Sequence, residues 1–217
     1  MSNYKSKVAV IGTGNIGKVV AANLVKGNRP VIIASRKTED AEALVNKLGN
    51  LGTVKTVKSA IIEADIIILA VWFDTIKELL DTYSSEFQGN IIIDPSNPIA
   101  PDGDGGFKKI IGEHESSGEI LAGLLPKGAT LAKAFGTLGA ASLESEAHRP
   151  SEKAVLFYTT DDTYVNGKIE ELIQDSGFDA YRVGGIDQSI RIEVFGDLHE
   201  FGALGKVVTA RKLKEKV

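Results

Sequence analysis

The sequence predicts an α/β protein in which helices cover both faces of a mostly parallel sheet, the doubly wound Rossmann arrangement. Strand-like and helix-like segments alternate along most of the 217 residues. The apolar run Val8–Ile11 leads directly into a glycine-rich turn and then into a helical pattern. Residues 66–71, IIILAV, are continuously apolar, as expected for a strand that is buried on both faces. These observations together indicate a parallel sheet with helical crossovers.

Residues 8–37 form the first predicted unit, a strand, a glycine turn, a helix and a second strand. The turn carries Gly12, Gly14 and Gly17 in the pattern GxGxxG. In this pattern the first glycine allows a tight turn, the second lets phosphates approach the backbone, and the third lets the helix lie close to the strand. Because a helix N-terminus offers unpaired N–H groups and a positive dipole end, the unit predicts a binding site for a pyrophosphate.

The remaining elements of the first half follow in order. A helix is predicted over residues 38–48 because Thr38 can cap it, acidic residues fill its first turn and Gly49 ends it. After it we expect a short strand at 54–57, a brief crossover at 59–63, the buried strand at 66–71, a helix at 74–83 and a fifth strand at 91–94. Residues 97–117 show no sustained period and predict a long loop, which in a compact domain is usually functional or mobile.

The second half is predicted to continue with a helix at 117–125, a sixth strand at 130–135 and a small helical segment at 137–145. The chain then restarts with a strand at 153–159, a helix at 164–175, an extended piece at 180–183 and a long terminal helix at 187–213. A soft boundary near 148–151 divides the chain into a dinucleotide-binding Rossmann domain, 1–148, and a small C-terminal α/β segment, 149–217, for substrate binding and dimerisation.

The composition excludes several classes of function. A net charge of −4 without a block of lysine and arginine argues against nucleic acid or an anionic membrane as partner. Without cysteine there is no disulfide, thiolate nucleophile or sulfur-ligated metal, and no spacing of histidines and carboxylates indicates another metal site. The N-terminus lacks the apolar core of a signal peptide, and the apolar stretch 61–73 is too short to span a bilayer. We therefore expect a cytoplasmic location.

The end of the second predicted strand discriminates between dinucleotides. A site for NAD carries an acidic residue there, which would repel a 2′-phosphate. This chain has Ser35, Arg36 and Lys37 instead. A guanidinium can bind phosphate through two hydrogen bonds, the lysine adds charge and the serine adds a donor. The sequence therefore favours NADP(H), although Arg36 and Lys37 could also be solvated loop charges.

Ligands of such folds lie at the carboxyl ends of the parallel strands, which extends the predicted cofactor site. Trp72 and Phe73 could form a wall of the nicotinamide pocket or pack in the core. Asn97 could donate to the nicotinamide amide or ribose, or be a turn residue. The predicted cofactor-binding residues are Gly12, Thr13, Gly14, Asn15, Ile16, Gly17, Ser35, Arg36, Lys37, Ala70, Val71, Trp72, Asn97 and Ala134.

Four motifs make the chain resemble the NADPH-dependent reductases of the deazaflavin coenzyme F-420 and the similar bacterial dinucleotide-binding proteins. They are IGTGNIGK at 11–18, SRK at 35–37, DPSNP at 94–98 and KAFGTLGA at 133–140. The resemblance implies a site for two substrates, with NADP(H) at the sheet edge and a flat acceptor over the nicotinamide. It also implies that Phe135, Gly136, Thr137 and Leu138 position this acceptor and that the protein is a dimer.

The chain departs from the archaeal members of that family at two of these positions. Phe135 and Gly136 stand where those enzymes carry a histidine and a polar residue, so the resemblance does not transfer the identity of the acceptor. An aromatic residue such as Phe135 can stack on a flat acceptor, and a small residue such as Gly136 lets the acceptor approach the backbone. Hydride transfer needs few other contributions from side chains. No catalytic residue is assigned, because no general acid is evident.

The three histidines, His114, His148 and His199, do not cluster with carboxylates in the sequence. For each of them we expect a surface or interface role rather than catalysis. Ser142, Asp161 and a histidine are the residue types of a hydrolytic triad, but the sequence has no GxSxG motif to support one.

The predicted terminal helix carries an apolar stripe at spacings of three and four residues. Its members are Ile190, Val194, Leu198, Phe201, Gly205 and Val208. The stripe could pack on the sheet of its own chain, but Phe195 and Leu204 widen it and the glycines suit a close helix neighbour. We therefore favour a homodimer through this helix.

Two functions remain open at this point. The first is an NADPH-dependent oxidoreductase that passes hydride to a flat ring acceptor such as the deazaflavin coenzyme F-420 or a flavin. The second is a non-catalytic NADP(H)-binding module that senses redox state or supports a partner protein. The loop at 98–117 favours the enzyme, because a lid over a second ligand has no use in a simple binding module.

Overall fold

The structure, a computed structural model, describes residues 5–205 and 207–214. Its strands are β1 (Val8–Ile11), β2 (Val31–Ala34), β3 (Gly52–Val54), β4 (Ile66–Leu69), β5 (Ile91–Asp94), β6 (Ile99–Pro101), β7 (Phe107–Lys109), β8 (Thr130–Lys133), β9 (Val155–Thr159) and β10 (Asp179–Gly184). Its α-helices are α1 (Asn15–Lys26), α2 (Thr38–Leu48), α3 (Val57–Glu63), α4 (Phe73–Thr82), α5 (Ser117–Ala122), α6 (Ala140–Ser145), α7 (Asn166–Asp175), α8 (Ser189–Ile192) and α9 (Ala210–Lys214). Short 3-10 turns lie at Gly49–Leu51, Thr163–Val165 and Ile186–Gln188.

Eight strands form one sheet in the order β10-β9-β8-β5-β4-β1-β2-β3. All neighbours run parallel except β8 and β9, which pair antiparallel where Lys133 faces Thr159. The chain order reverses between β1 and β4, because β1 lies between β2 and β4. A crevice at the carboxyl ends of the strands forms at such a reversal and is the usual ligand site of doubly wound sheets. The predicted α/β Rossmann class is confirmed.

Continuous apolar sequences explain why the central strands are buried on both faces. Every residue of β1, β2, β4 and β5 is buried. Because side chains alternate along a strand, Val8 and Val10 of β1 join one core layer, while Ala9 and Ile11 join the layer on the opposite face. This two-layer core fixes the sheet and thereby the positions of the loops at its carboxyl edge.

Three features of the chain before α5 differ from the sequence prediction. Strand β3 lies two residues earlier than expected, and α3 begins at Val57 because Thr56 caps it by accepting a hydrogen bond from the Ser59 N–H. Within residues 97–117, where we expected a loop, β6 and β7 pair as an antiparallel hairpin. The sequence did not predict this hairpin, because strands of three residues are too short to show a hydrophobic period.

The predicted helix over residues 187–213 is wrong. The chain forms α8, then consecutive turns, and then the short α9. The glycines decide this, because a Cβ on Gly196 would lie 2.3 Å from the Ile190 carbonyl oxygen and one on Gly202 would lie 1.8 Å from the Gly196 carbonyl oxygen. These glycines serve tight turns of their own chain, so the apolar stripe is not a helix face. The homodimer stays a prediction, without that helix as its interface.

The C-terminal segment 149–217 contributes β9 and β10 to the common sheet. Its last described part returns to β9, where Ala154 pairs with Thr209 and Val208 packs with Phe157 in a small core. The division of the chain at residue 148 stays a prediction. Among the described residues, no helix has both the length and the apolar character needed to cross a membrane.

Candidate functional site

The turn after β1 lies at the crevice and is shaped by its glycines. Gly12 has φ of 110°, and a Cβ there would lie 2.2 Å from the Ala70 carbonyl oxygen at the end of β4. A Cβ on Gly17 would lie 2.1 Å from the Gly12 carbonyl oxygen. Both positions therefore exclude any larger residue, because the loop, α1 and β4 approach each other too closely.

Gly14 differs, because no atom lies within 4 Å of a Cβ built there. It is the N-cap of α1 and offers no side-chain cap, and the first turn of α1 carries no acidic residue. The first intrahelical bond in this region joins the Lys18 N–H to the Gly14 carbonyl, so the N–H groups of Asn15, Ile16 and Gly17 have no partner among the described residues. Open space beside an uncapped helix N-terminus fits a pyrophosphate.

The end of β2 places positive charge beside this turn. The Thr13 hydroxyl donates to Ser35 Oγ over 3.3 Å, which connects the glycine turn to the segment after β2. Arg36 and Lys37 are exposed and make no ion pair within the described part of the chain. Two unpaired cations at this point fit a phosphate on the adenosine ribose.

The segment after β4 borders a small cavity. Ala70 and Val71 are half-buried behind the glycine turn, while the Trp72 side chain is 62% exposed. A cavity of about 230 Å³ separates the start of α4 from the hairpin β6–β7. Its lining is apolar apart from one carboxylate and consists of Trp72, Phe73, Asp74, Ile99, Ala100, Pro101 and Ile110. Phe73 itself packs in the core, so only Trp72 presents an open ring.

Asn97, predicted to contact the cofactor, is engaged within the protein. Its Nδ2 donates to the Gly136 carbonyl over 3.0 Å, and its Oδ1 accepts from the Val194 N–H over 2.6 Å. The side chain therefore connects the end of β5 to the turn after β8 and to the C-terminal segment. One N–H remains for a ligand, so its role in cofactor binding stays a prediction.

The turn after β8 contains the predicted acceptor-positioning residues. Phe135 has φ of 64°, an uncommon value for a bulky residue, and its ring lies fully buried in the core with Ala134. The buried ring does not support stacking on an acceptor, and the role of Phe135 in positioning the acceptor stays a prediction. A Cβ on Gly136 would lie 2.8 Å from the Pro95 carbonyl oxygen, so the turn packs directly on the segment after β5.

A buried charge cluster under this turn was missed by the sequence analysis. Lys133 Nζ lies 2.7 Å from Asp94 Oδ2 and 3.8 Å from Glu193 Oε1, and all three side chains are at most 2% exposed. Glu193 accepts hydrogen bonds from the Ser117 N–H and hydroxyl and from the Gly118 N–H at the start of α5. Asp94 and Lys133 end neighbouring strands in register, which was the available signal. Glu193 gave none, because its segment was assigned to a helix.

His199 also lies in a different place from the one that the sequence predicts. It was expected at a surface or interface, yet it is 2% exposed and lies beside the acceptor turn. Nε2 is 2.9 Å from the Gly136 carbonyl oxygen and therefore donates, while Nδ1 accepts from the Phe201 N–H over 3.0 Å. The bond to Nδ1 requires the neutral ring, because a protonated Nδ1 cannot accept. Burial lowers the pKa of His199 below its ordinary value, opposed by the Gly136 bond and by Glu200.

This arrangement predicts how stability depends on pH. Because the folded state keeps His199 neutral, the unfolded chain binds the extra proton first, and this contribution is lost as pH falls below about 6.5. We expect the difference in free energy of unfolding between the wild type and His199→Gln to shrink between pH 7.5 and pH 5.5. Urea unfolding at both pH values measures it. His114 and His148 are present in both proteins, so their contributions cancel in the comparison. A difference in free energy of unfolding that stays constant with pH would contradict the neutral, buried His199.

Comparisons with known proteins agree with this geometry. Residues 7–98 match the family model described as NADP oxidoreductase, coenzyme F420-dependent. A hypothetical protein from Sinorhizobium meliloti has a similar structure, with a TM-score of 0.81, 27% identity and coverage of 94% of this chain and 95% of its own. A putative F420-dependent NADP reductase from Arthrobacter sp. FB24 has a TM-score of 0.72 and 18% identity, with 84% of this chain and 86% of its own covered.

A curated relative, metalloreductase STEAP3 of Rattus norvegicus, is 25% identical over 187 residues, which are 86% of this chain. The chain spans only 36% of the length of that relative. The family model includes β1, the glycine turn, the SRK segment and the DPSNP segment. The turn and the two segments lie at the carboxyl ends of strands, where we predict the cofactor site. Over residues 7–98 the chain is therefore similar to the NADP oxidoreductases described as coenzyme F420-dependent.

Proposed function

We propose that this protein is an NADPH-dependent oxidoreductase that transfers hydride between NADP(H) and a flat ring acceptor, either the deazaflavin coenzyme F-420 or a flavin-like molecule. The observation that supports NADP(H) as the cofactor is the open, uncapped N-terminus of α1 beside Gly14. Arg36 and Lys37 lie nearby without an ion-pair partner among the described residues. A reduced nicotinamide supplies the hydride when bound. The protein itself then has to bind the cofactor and the acceptor, align their rings and exclude water from the site.

The acceptor part of the proposal rests on the cavity between α4 and the hairpin β6–β7. The exposed Trp72 ring and the apolar walls of the hairpin β6–β7 border a cavity of about 230 Å³. An apolar slot with one aromatic ring suits a flat conjugated molecule better than a sugar or a peptide. The hairpin starts two residues after Asn97, which bonds to the acceptor turn, so the slot and the turn are joined through the segment after β5.

Oxidation of NADPH tests this proposal. We expect turnover with at least one of the deazaflavin coenzyme F-420, riboflavin and 2-methyl-1,4-naphthoquinone, followed as loss of NADPH absorbance. The protein without acceptor serves as the control for direct oxidation. Tight NADPH binding without turnover of any acceptor would reject the enzyme and favour the non-catalytic binding module.

Arg36→Ala tests the cofactor preference. Since a hydrogen bond to a charged phosphate contributes about 1.5 to 3 kcal/mol, we expect the Kd for NADPH to rise by about 10- to 100-fold and the Kd for NADH to change little. Fluorescence titration with both cofactors measures the two constants. Lys47→Ala, at the far end of α2 and also exposed, should leave both constants unchanged. Equal affinity of the wild type for the two cofactors would refute the preference.

A further inference from the structure

The cavity between α4 and the hairpin β6–β7 has the size of a molecule with two fused rings. Its volume is about 230 Å³. An apolar protein cavity of about 150 Å³ holds one benzene ring, so a cavity half as large again holds two fused six-membered rings. A flavin or a deazaflavin has three fused rings. Two of its rings therefore fit in the cavity while the third stays outside in the crevice.

The walls of this cavity offer few hydrogen-bonding groups to a ligand. On the hairpin side, the N–H groups of Ile99 and Ile110 already donate to backbone carbonyls over 2.9 Å each. Pro101 has no N–H to donate. On the opposite side the Trp72 ring is 62% exposed and can stack on a flat molecule. Because burying a polar group without a hydrogen-bond partner costs free energy, these walls favour an apolar ring edge.

The charge at the end of α4 differs from the charge at the end of α1. The first turn of α1 carries no acidic residue, whereas the first turn of α4 contains Asp74, which lines the cavity. A carboxylate in the first turn compensates the positive end of the helix dipole. Lys77 Nζ lies 2.7 Å from this carboxylate, but among the described residues no cation lines the cavity. The N-terminus of α1 therefore suits an anion, and that of α4 does not.

The cavity adjoins the predicted cofactor site. A Cβ on Gly12 would lie 2.8 Å from Val71 Cγ1, and Trp72 follows directly in the chain. The segment after β4 therefore contacts the glycine turn through one residue and lines the cavity with the next. This places the cavity beside the predicted site of the dinucleotide.

We propose that this cavity binds an uncharged, apolar ring edge of the acceptor and that Asp74 disfavours acceptors with an anionic edge. The inference rests on the proposed function and narrows its acceptor to a flavin or a quinone. On the edge opposite the pyrimidine ring, a flavin carries two methyl groups, whereas coenzyme F-420 carries an acidic hydroxyl group. Once ionised, this hydroxyl group would lose its hydration in an apolar cavity and be repelled by the Asp74 carboxylate.

The fluorescence of Trp72 reports binding in the cavity directly, because it is the only tryptophan in the chain. Two probes share one skeleton of two rings. One is 2-methyl-1,4-naphthoquinone, which is uncharged, and the other is 2-hydroxy-1,4-naphthoquinone, which is an anion at neutral pH. We expect saturable quenching by the uncharged probe, with a Kd at least about 10-fold lower than that of the anion. N-acetyltryptophanamide corrects for light absorbed by the probes and for collisional quenching.

Asp74→Asn removes the charge that discriminates between the probes. We expect the Kd of the anion to fall by about 2- to 5-fold, a modest change because Asp74 is exposed and paired with Lys77. The Kd of the uncharged probe should stay within about twofold of the wild type. Asp81→Asn, at an exposed acid near the other end of α4, is the matched control and should change neither Kd.

Ala100→Phe fills the cavity from the hairpin side. We expect the Kd of the uncharged probe to rise by at least about 10-fold, because the ring loses its apolar contacts. Ala43→Phe, at an exposed alanine of α2, is the matched control and should bind the probe like the wild type. Melting temperatures show whether each variant folds, and the Asp74→Asn comparison tests the inference if Ala100→Phe does not fold.

Equal Kd values for the two probes, or a lower Kd for the anion, overturn the inference, as does an unchanged Kd in a folded Ala100→Phe variant. An unchanged Kd of the anion in Asp74→Asn overturns the role of Asp74. Oxidation of NADPH by F-420 in preference to riboflavin overturns the inference and leaves the proposed activity intact. Binding of the uncharged probe as expected, without turnover of any acceptor, overturns the proposed activity and leaves the cavity as a binding site for an uncharged ring.

Discussion

Replacing Gly14 with valine is expected to weaken NADPH binding by at least about 100-fold while the melting temperature changes by no more than about 3 °C. The side chain of valine would start in open space, since apart from the adjacent residues no atom lies within 4 Å of a Cβ built at this position. The backbone of Gly14, with φ of −72° and ψ of −172°, is also accessible to valine. The added methyl groups instead occupy the space through which a pyrophosphate approaches the N–H groups of α1.

Fluorescence titration with NADPH and a thermal melt of the same samples measure the two effects. Gly167→Val is the matched control. A Cβ built at Gly167 also has open space around it, but this residue lies in α7 and not in the glycine turn. It should bind NADPH like the wild type. Gly12→Val should behave differently from both and fail to fold stably, because Gly12 has φ of 110° and its Cβ would meet the Ala70 carbonyl oxygen. Wild-type affinity in a folded Gly14→Val variant would place the pyrophosphate elsewhere.

Lys133→Met is expected to lower the free energy of unfolding by about 3 to 5 kcal/mol, the usual loss when one partner of a buried ion pair is removed. The substitution keeps the length of the side chain but leaves the carboxylates of Asp94 and Glu193 without their shared cation. It also removes the hydrogen bond from Lys133 to the Ser96 carbonyl, which holds the segment after β5. Urea unfolding measures the loss.

Lys127→Met is the control for loss of a lysine, since Lys127 is exposed, and its free energy of unfolding should stay within about 0.5 kcal/mol of the wild type. Adding Asp94→Asn to Lys133→Met removes one unpaired charge, so the double variant should recover part of the loss. A double variant less stable than Lys133→Met would show that the Asp94 charge is compensated by something other than Lys133.

The fold was predictable because its signals are local. Continuous apolar runs separated by helical periods define β1, β4 and β5, and the glycine turn lies between a strand and a helix, as its pattern predicts. The hairpin β6–β7 and the segment after α8 were not predictable, since their strands and turns are shorter than any hydrophobic period. Glycines that were assigned to a helix contact are instead required by backbone packing within the same segment.

The location of the predicted cofactor residues in the fold was predictable for a related reason. These residues follow one another along a few short turns, so Gly14, Arg36 and Trp72 could be placed at the carboxyl edge from strand ends alone. The acceptor side is assembled from residues that are far apart in the sequence. Asn97 and His199 meet at one carbonyl, that of Gly136, and no pattern in either segment announces this contact.

The sequence by itself determined the parallel sheet, the glycine turn and the charges after β2, because each depends on neighbouring residues and on strand periodicity. Only the tertiary structure decided that Phe135 is buried, that Lys133 is shared by Asp94 and Glu193, and that the C-terminal segment turns back onto the site. The physical reason is that a buried polar group must find a partner wherever the fold provides one. Those partners are set by the three-dimensional packing of distant segments, which local sequence patterns do not encode.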